Sequence, residues 1–158
     1  MESENRIELP PLRQLGIVVR DLEATRANIE RYLAVGPFHI FEFDQKAIIA
    51  DGSETFSRIK VGLAEAGPVQ IELIQPILGE NIYTEFLSER GDGLHHLAYE
   101  VDSFAIVGAL EKAGAKRIFH YDYGAFAFAY LHVPEFGDTM LEFLRSGEEP
   151  SGANDHAS

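Results

Sequence analysis

The chain says one thing twice, and the repetition falls on polar residues inside strand-like runs. Gln14-Leu15-Gly16-Ile17-Val18-Val19-Arg20-Asp21-Leu22 is answered by His96-Leu97-Ala98-Tyr99-Glu100-Val101-Asp102-Ser103-Phe104, an offset of 96 − 14 = 82 positions. Each copy later reaches a second run with a lone carboxylate in apolar company, Val69-Gln70-Ile71-Glu72-Leu73-Ile74 and Thr139-Met140-Leu141-Glu142-Phe143-Leu144. A small duplicated unit must bury its apolar face, and its copy offers a surface for doing so. Polar residues that recur with the repeat point to a site built at the junction of the halves.

Each half reads as one strand, one helix and three strands. In the first, Leu12 to Arg20 is extended, Asp21 caps a helix running to about Ala34 with Leu22, Ile29 and Leu33 as its apolar stripe, and Gly36-Pro37 closes it. Extended runs follow at Phe38 to Phe43, Thr55 to Leu63 and Val69 to Gln75, punctuated by Asp51-Gly52 and Ala66-Gly67-Pro68. A short linking helix spans Asn81 to Arg90. The second half has a strand over 94–101, a helix from Ser103 to about Ala113, and extended segments at Arg117 to Tyr121, Phe126 to His132 and Thr139 to Arg145. Interleaved strands and helices exclude an all-α or all-β class, and the expected class is α+β, with modules over 11–78 and 93–145 in a single two-module domain. Residues 1–10 are expected to be flexible, and the acidic, turn-rich stretch 146–158 to be a disordered tail.

Alternation with period two sorts the strand residues into faces. Leu15, Ile17 and Val19 oppose Gln14, Gly16 and Val18; Leu97, Tyr99 and Val101 oppose His96, Ala98 and Glu100. By the same parity Glu72 opposes Ile71 and Leu73, and Glu142 opposes Leu141 and Phe143. Gln14, Glu72, His96 and Glu142 therefore share the face turned from the helices, where curvature of the two sheets lets them converge. Imidazole, amide oxygen and two carboxylates suit zinc, nickel, cobalt, manganese or iron, with open positions for water or substrate. Taken singly, each of these residues is more simply a core or solvated side chain, and it is their joint recurrence that argues for a site. His95 must point opposite to His96 in a regular strand and reads as structural.

Charge and composition narrow the partners. A net charge of −13 repels polyanions, which argues against nucleic acid or an anionic membrane surface and for a small-molecule substrate. With no cysteine, thiolate ligands and cysteine nucleophiles are excluded. The N-terminal residues carry neither the basic start nor the apolar run of a signal peptide, so a cytoplasmic protein is expected.

The run Ile71-Glu72-Leu73-Ile74-Gln75-Pro76, then Glu85-Phe86-Leu87, then Gly91-Asp92-Gly93-Leu94-His95-His96-Leu97-Ala98-Tyr99-Glu100-Val101 resembles the vicinal oxygen chelate superfamily, in particular its methylmalonyl-CoA epimerase-like branch, also labelled glyoxalase or bleomycin resistance protein. The resemblance covers about Leu12 to Leu144. It implies two βαβββ modules forming a cupped mixed sheet around a divalent metal, and a homodimer. In the epimerase branch histidine usually stands at position 14 and glutamine at 72. The set Gln14, Glu72, His96, Glu142 instead resembles that of some glyoxalase I enzymes. The implied chemistry is proton abstraction beside a carbonyl by an isomerase, epimerase or lyase, with Glu142, or Glu72, as base. A glyoxalase-type lyase acting on a thiol adduct and a non-catalytic binder of small molecules are the alternatives.

Two further runs bear on the substrate. If Ile59, Val61 and Leu63 pack on the helix side, Arg58 and Lys60 face the cavity and favour an anionic substrate; a solvated edge is the plain alternative. Gly124-Ala125-Phe126-Ala127-Phe128-Ala129-Tyr130-Leu131-His132 alternates small with aromatic, so its rings fill a core or line an apolar pocket in which Tyr130 carries the polar handle.

Overall fold

The computed structural model describes residues 6–137 and 139–146. Its elements run β1 (Leu12–Val18), α1 (Leu22–Leu33), β2 (His39–Ile49), β3 (Glu54–Ala66), β4 (Val69–Leu78), α2 (Ile82–Arg90), β5 (Gly93–Glu100), α3 (Ala105–Lys112), β6 (Lys116–Tyr123), β7 (Phe126–His132) and β8 (Met140–Arg145). The expected tail over 146–158 falls, after Ser146, outside the described residues, as does the start of the expected N-terminal segment. The eight strands close in the order β1-β4-β3-β2-β6-β7-β8-β5. Both modules lie in one chain, so the cup forms within it.

The modules join through antiparallel pairing of β1 with β5, and each first strand runs parallel to its module's last, β1 with β4 and β5 with β8. Gln14 lies opposite Ala98, and Gly16 opposite His96. Each donor thus faces a small residue of the other copy. The register shifts twice, leaving Arg13 as the extra residue on β1 and His95 as the extra residue on β5. These two positions are also 82 apart (95 − 13), so the bulges themselves repeat. On its free side β2 meets β6 only at Ile48 and Ile49 among the described residues.

Local chemistry sets the ends of the helices. Asp21 accepts from the Ala24 amide at 2.9 Å, as expected of an N-cap, and the chain leaves α1 through Ala34 at φ 53°. Leu22 is buried and Ile29 partly so, but Leu33 is exposed, which shortens the expected apolar stripe. Asn81 and Thr84 form a reciprocal capping box at α2. No helix among the described residues is long and apolar enough to cross a membrane.

Three apolar clusters hold the sheet. One packs Leu22 of α1 on Val19 and Leu73; another packs Val107 of α3 against Tyr99, Leu131, Leu141 and Phe143. The third fills the inside of the sheet and docks α2 through Tyr83 and Leu87 against Val18, Ile74, Phe128 and Tyr130.

Candidate metal centre

Glu72 on β4, His96 on β5 and Glu142 on β8 present one ligand atom each within 4.8 Å of one another. His96 is wholly buried, and its Nε2 lies 3.1 Å from Glu72 Oε2 and 3.1 Å from Glu142 Oε2. That nitrogen has one hydrogen to give. The hydrogen-bond geometry directs it to Glu72 and leaves Glu142 Oε2 buried without a hydrogen-bond partner. A buried and a half-buried carboxylate around one imidazole leave negative charge uncompensated, which is costly unless a cation joins them. The donor set and the orphaned oxygen both fit a divalent ion.

The same geometry shifts the titrations. Burial alone would lower His96, but the carboxylates of Glu142 and then Glu72 outweigh it and raise the imidazole to about 9. Glu72 is pushed up, first by burial and further by Glu142, against the stabilising hydrogen bond from His96.

Gly16 makes room for the ring. A Cβ at position 16 would sit 1.9, 2.2 and 2.4 Å from Cε1, Nε2 and Nδ1 of His96, so the imidazole lies directly over the bare backbone of the facing strand. The sequence gives this away only through Gly16 interrupting an apolar strand opposite a candidate ligand.

His95 departs from the expectation of a residue turned away from His96. Because it is the extra residue of the β5 bulge, alternation fails at that point, and the two rings meet edge to face with centroids 5.3 Å apart. Their Nδ1 atoms are 3.0 Å apart. Burial, then the neighbouring His96 and Arg90, lower His95 to about 3, so it is neutral. In the tautomer with His95 Nδ1 as acceptor, His96 carries a hydrogen on Nδ1 as well, and its Nε2 is held toward the carboxylates.

The remaining sequence candidates divide. Gln14 lines the same cavity as Glu72 and Glu142, but its amide donates to Gln70 Oε1, and Gln70 in turn donates to Glu65. Tyr130 is buried, lines the cavity, packs its ring 5.0 Å from that of His96 and shares a 2.9 Å hydroxyl contact with Tyr83. Burial first, then Glu142, raises the phenols of Tyr83 and Tyr130, keeping both protonated. Arg58 and Lys60 do not line the cavity. Arg58 pairs with Asp44 at 2.6 Å and Lys60 with Glu23 of α1 at 3.5 Å, while Ile59, Val61 and Leu63 turn inward. The parity of β3 is inverted because the barrel interior is itself apolar, and Gly62, not a large residue, meets Leu22 and Phe38 on the helix side.

The cavity above the trio measures about 500 Å³ and is walled by Phe41, Phe43, Tyr121, Phe126, Phe128 and Tyr130. A family model described as the Glyoxalase/Bleomycin resistance protein/Dioxygenase superfamily matches residues 13–130, from the first bulge through Tyr130. The chain belongs to this superfamily. Its members typically bind a divalent metal, and the Glu72, His96, Glu142 group is a possible site for one here. Among curated relatives, the uncharacterized protein YqjC of Bacillus subtilis (strain 168) is 31% identical over 90 residues, a match spanning 56% of this chain and 55% of that protein. The chain therefore spans about half the length of the curated relative that it matches.

Solved structures share the fold. A hypothetical protein, BH1468 of Bacillus halodurans C-125, superposes with a TM-score of 0.66 at 21% identity, covering 89% of this chain and 96% of that one. Methylmalonyl-CoA epimerase from Mycobacterium tuberculosis gives 0.64 at 22% identity, over 86% and 87% of the two chains. A Streptomyces coelicolor methylmalonyl-CoA epimerase variant in complex with 2-nitronate-propionyl-CoA gives 0.67 at 17% identity, over 89% and 99%.

Proposed function

We propose that the chain is a metal-dependent isomerase, epimerase or lyase that removes a proton from the carbon beside a carbonyl. The observation that carries this reading is the trio in which His96 Nε2 bonds to Glu72 and Glu142 Oε2 is left buried without a hydrogen-bond partner. Glu72, His96 and Glu142 would hold the ion, with the Gln14 amide as a fourth ligand if it exchanges Gln70 for the metal. A divalent cation there supplies Lewis-acid polarisation of a carbonyl oxygen, which acidifies the adjacent C–H.

The chain's own groups supply the rest. Glu142 lines the cavity and, unlike Glu72, accepts no hydrogen bond from His96 at its Oε2, so it is the carboxylate that would leave the ion and take the proton. The apolar rings around the trio exclude water, which strengthens the electrostatic interactions within it. The likeness in fold to methylmalonyl-CoA epimerases is in line with proton transfer at carbon. The aromatic cavity also supports a second reading, a protein that holds a small ring compound without turnover.

The test is metal content followed by exchange. Protein purified without added metal and then offered zinc, nickel, cobalt or manganese should hold close to one ion per chain. The loaded protein should catalyse deuterium exchange from solvent into the carbon next to a ketone. Glu142→Gln should abolish exchange while retaining most of the metal. Failure to bind any of the four ions, or exchange that survives Glu142→Gln, overturns the assignment.

A further inference from the structure

Resting on the reading of this cavity as the substrate site, we propose that its ligand is an uncharged, ring-bearing carbonyl compound with a hydrogen-bond donor for Gln45, and not a CoA thioester. Three independent features of the cavity support this. The walls offer aromatic faces from β2, β6 and β7, with Phe43 edge-on to both Tyr121 and Phe126, and Tyr121 stacked on Phe128 at 13°. Rings so arranged favour a flat apolar body, which fits within about 500 Å³.

The cavity offers phosphates no free cation among the described residues. Outside the trio Arg13 is the sole lining cation among them and Glu100 stands beside it, whereas Glu42 and Asp44 lie opposite Lys60 and Arg58 on the outward side of the β2–β3 ladder. Arg13 is already engaged, with Glu65 at 3.1 Å and Glu100 at 4.0 Å. Arg58 and Lys60, which could have met an anionic tail, are held on the other face of β3 by Asp44 and Glu23. A CoA ester would bring its phosphates to a rim that repels them, within a chain of net charge −13.

Gln45 supplies the polar recognition. It lines the cavity at 3% exposure, stands beside the Tyr83 hydroxyl, and its Oε1 has no hydrogen-bond partner. A buried amide oxygen without a partner, in a side chain that lines the cavity, is satisfied when the amide turns to a ligand hydroxyl or N–H, and leaving it unmet is costly. Glu72 and Glu142 would balance the charge of a divalent ion held between them, so a neutral ligand would leave the site electrically balanced.

The experiment compares para-hydroxyacetophenone, acetophenone and propionyl-CoA by calorimetry and ligand-observed NMR, on metal-loaded and metal-free protein at two salt concentrations. The phenol should bind about three- to tenfold tighter than acetophenone, the difference expected of one hydrogen bond. Gln45→Leu should erase that difference, and Phe126→Leu should weaken both ketones, which keeps the test open if Gln45→Leu fails to fold. Affinity for the ketones should not respond to salt. Propionyl-CoA should bind more weakly than either, with an affinity that rises as salt screens the repulsion. Propionyl-CoA binding more tightly than the ketones and weakening with salt overturns the proposal, as does equal affinity for phenol and acetophenone. Ring binding by the metal-free protein is read separately from metal uptake, so a chain that binds the ketones but no metal would sink the catalytic assignment and leave the ligand class standing.

Discussion

Gly16→Ala is the sharpest probe of the trio, because it adds one methyl group on the facing strand and replaces no ligand. The new Cβ would lie 1.9 Å from the His96 ring, and ordinary contact begins near 3.4 Å, so the ring must retreat by about 1.5 Å (3.4 − 1.9). Metal–ligand distances tolerate about 0.2 Å. The retreat also breaks the 3.1 Å contacts of Nε2 with Glu72 and Glu142. Disturbing only the partner of a ligating histidine costs about 10- to 100-fold in affinity, so displacing the ligand itself should cost more than about 100-fold. The overpacking should lower stability by about 1–3 kcal/mol. Competition with a chromophoric chelator reads the affinity and urea unfolding reads the stability. Gly62→Ala is the matched control, since its Cβ would meet Leu22 and Phe38 at 3.5 Å, an ordinary contact, on the far face of β3. A Gly16→Ala protein that is folded and binds metal within about threefold of the parent would refute the placement of His96 as a ligand.

Five other outcomes are expected. His95→Phe keeps the aromatic packing against Tyr83 and Phe86 but removes the acceptor for His96 Nδ1, so metal affinity should fall by about 10- to 100-fold and the cobalt absorption spectrum should change, with His95→Gln recovering part of the loss. His96 rises from 6.5 to about 9 and Glu72 rises from 4.5, so the metal-free fold binds more protons than the unfolded chain; its stability from these groups is greatest at low pH and is lost as pH climbs through about 9, measurable by unfolding at stepped pH. Metal must displace the His96 proton, so metal affinity should show the opposite trend, falling about tenfold per unit below pH 9, with proton release seen by calorimetry in two buffers. Arg58→Ala and Lys60→Ala should leave ketone affinity unchanged within about twofold, because both side chains pair outside the cavity. Gln14→Ala should weaken metal binding by less than about tenfold, against near-complete loss in Glu72→Ala, because the Gln14 amide is held by Gln70.

The architecture was largely legible because it is duplicated and alternates. Helix capping by Asp21, the linking helix and the inward parity of Glu72, His96 and Glu142 all follow from patterns that local physics enforces. What escaped depends on partners remote in sequence. The strand β2 runs on from the expected Phe43 to Ile49 because Asp44, Gln45 and Lys46 pair with β3, where Arg58, Ser57 and Phe56 complete the ladder. The inverted face of β3 follows from an apolar interior, which periodicity cannot distinguish from an apolar helix contact. A bulge is a mismatch between two strands, so His95 carried no local sign of standing beside His96.

The paired bulges explain why two copies of one unit make an unequal site. Both copies put an extra residue before the donor and a small residue opposite it, so the backbone offers His96 and Gln14 the same opportunity. In the second copy the extra residue is a neutral imidazole that accepts from the donor's far nitrogen and frees Nε2 for an ion. In the first it is Arg13, which turns to Glu65 and Glu100, while Gln14 is drawn into the same chain through Gln70. One copy therefore supports the ligand from behind and the other spends its donor on the cavity rim. The division of labour arises from the residue one step before the donor, and exchanging the characters of Arg13 and His95 would move the preorganised ligand from β5 to β1.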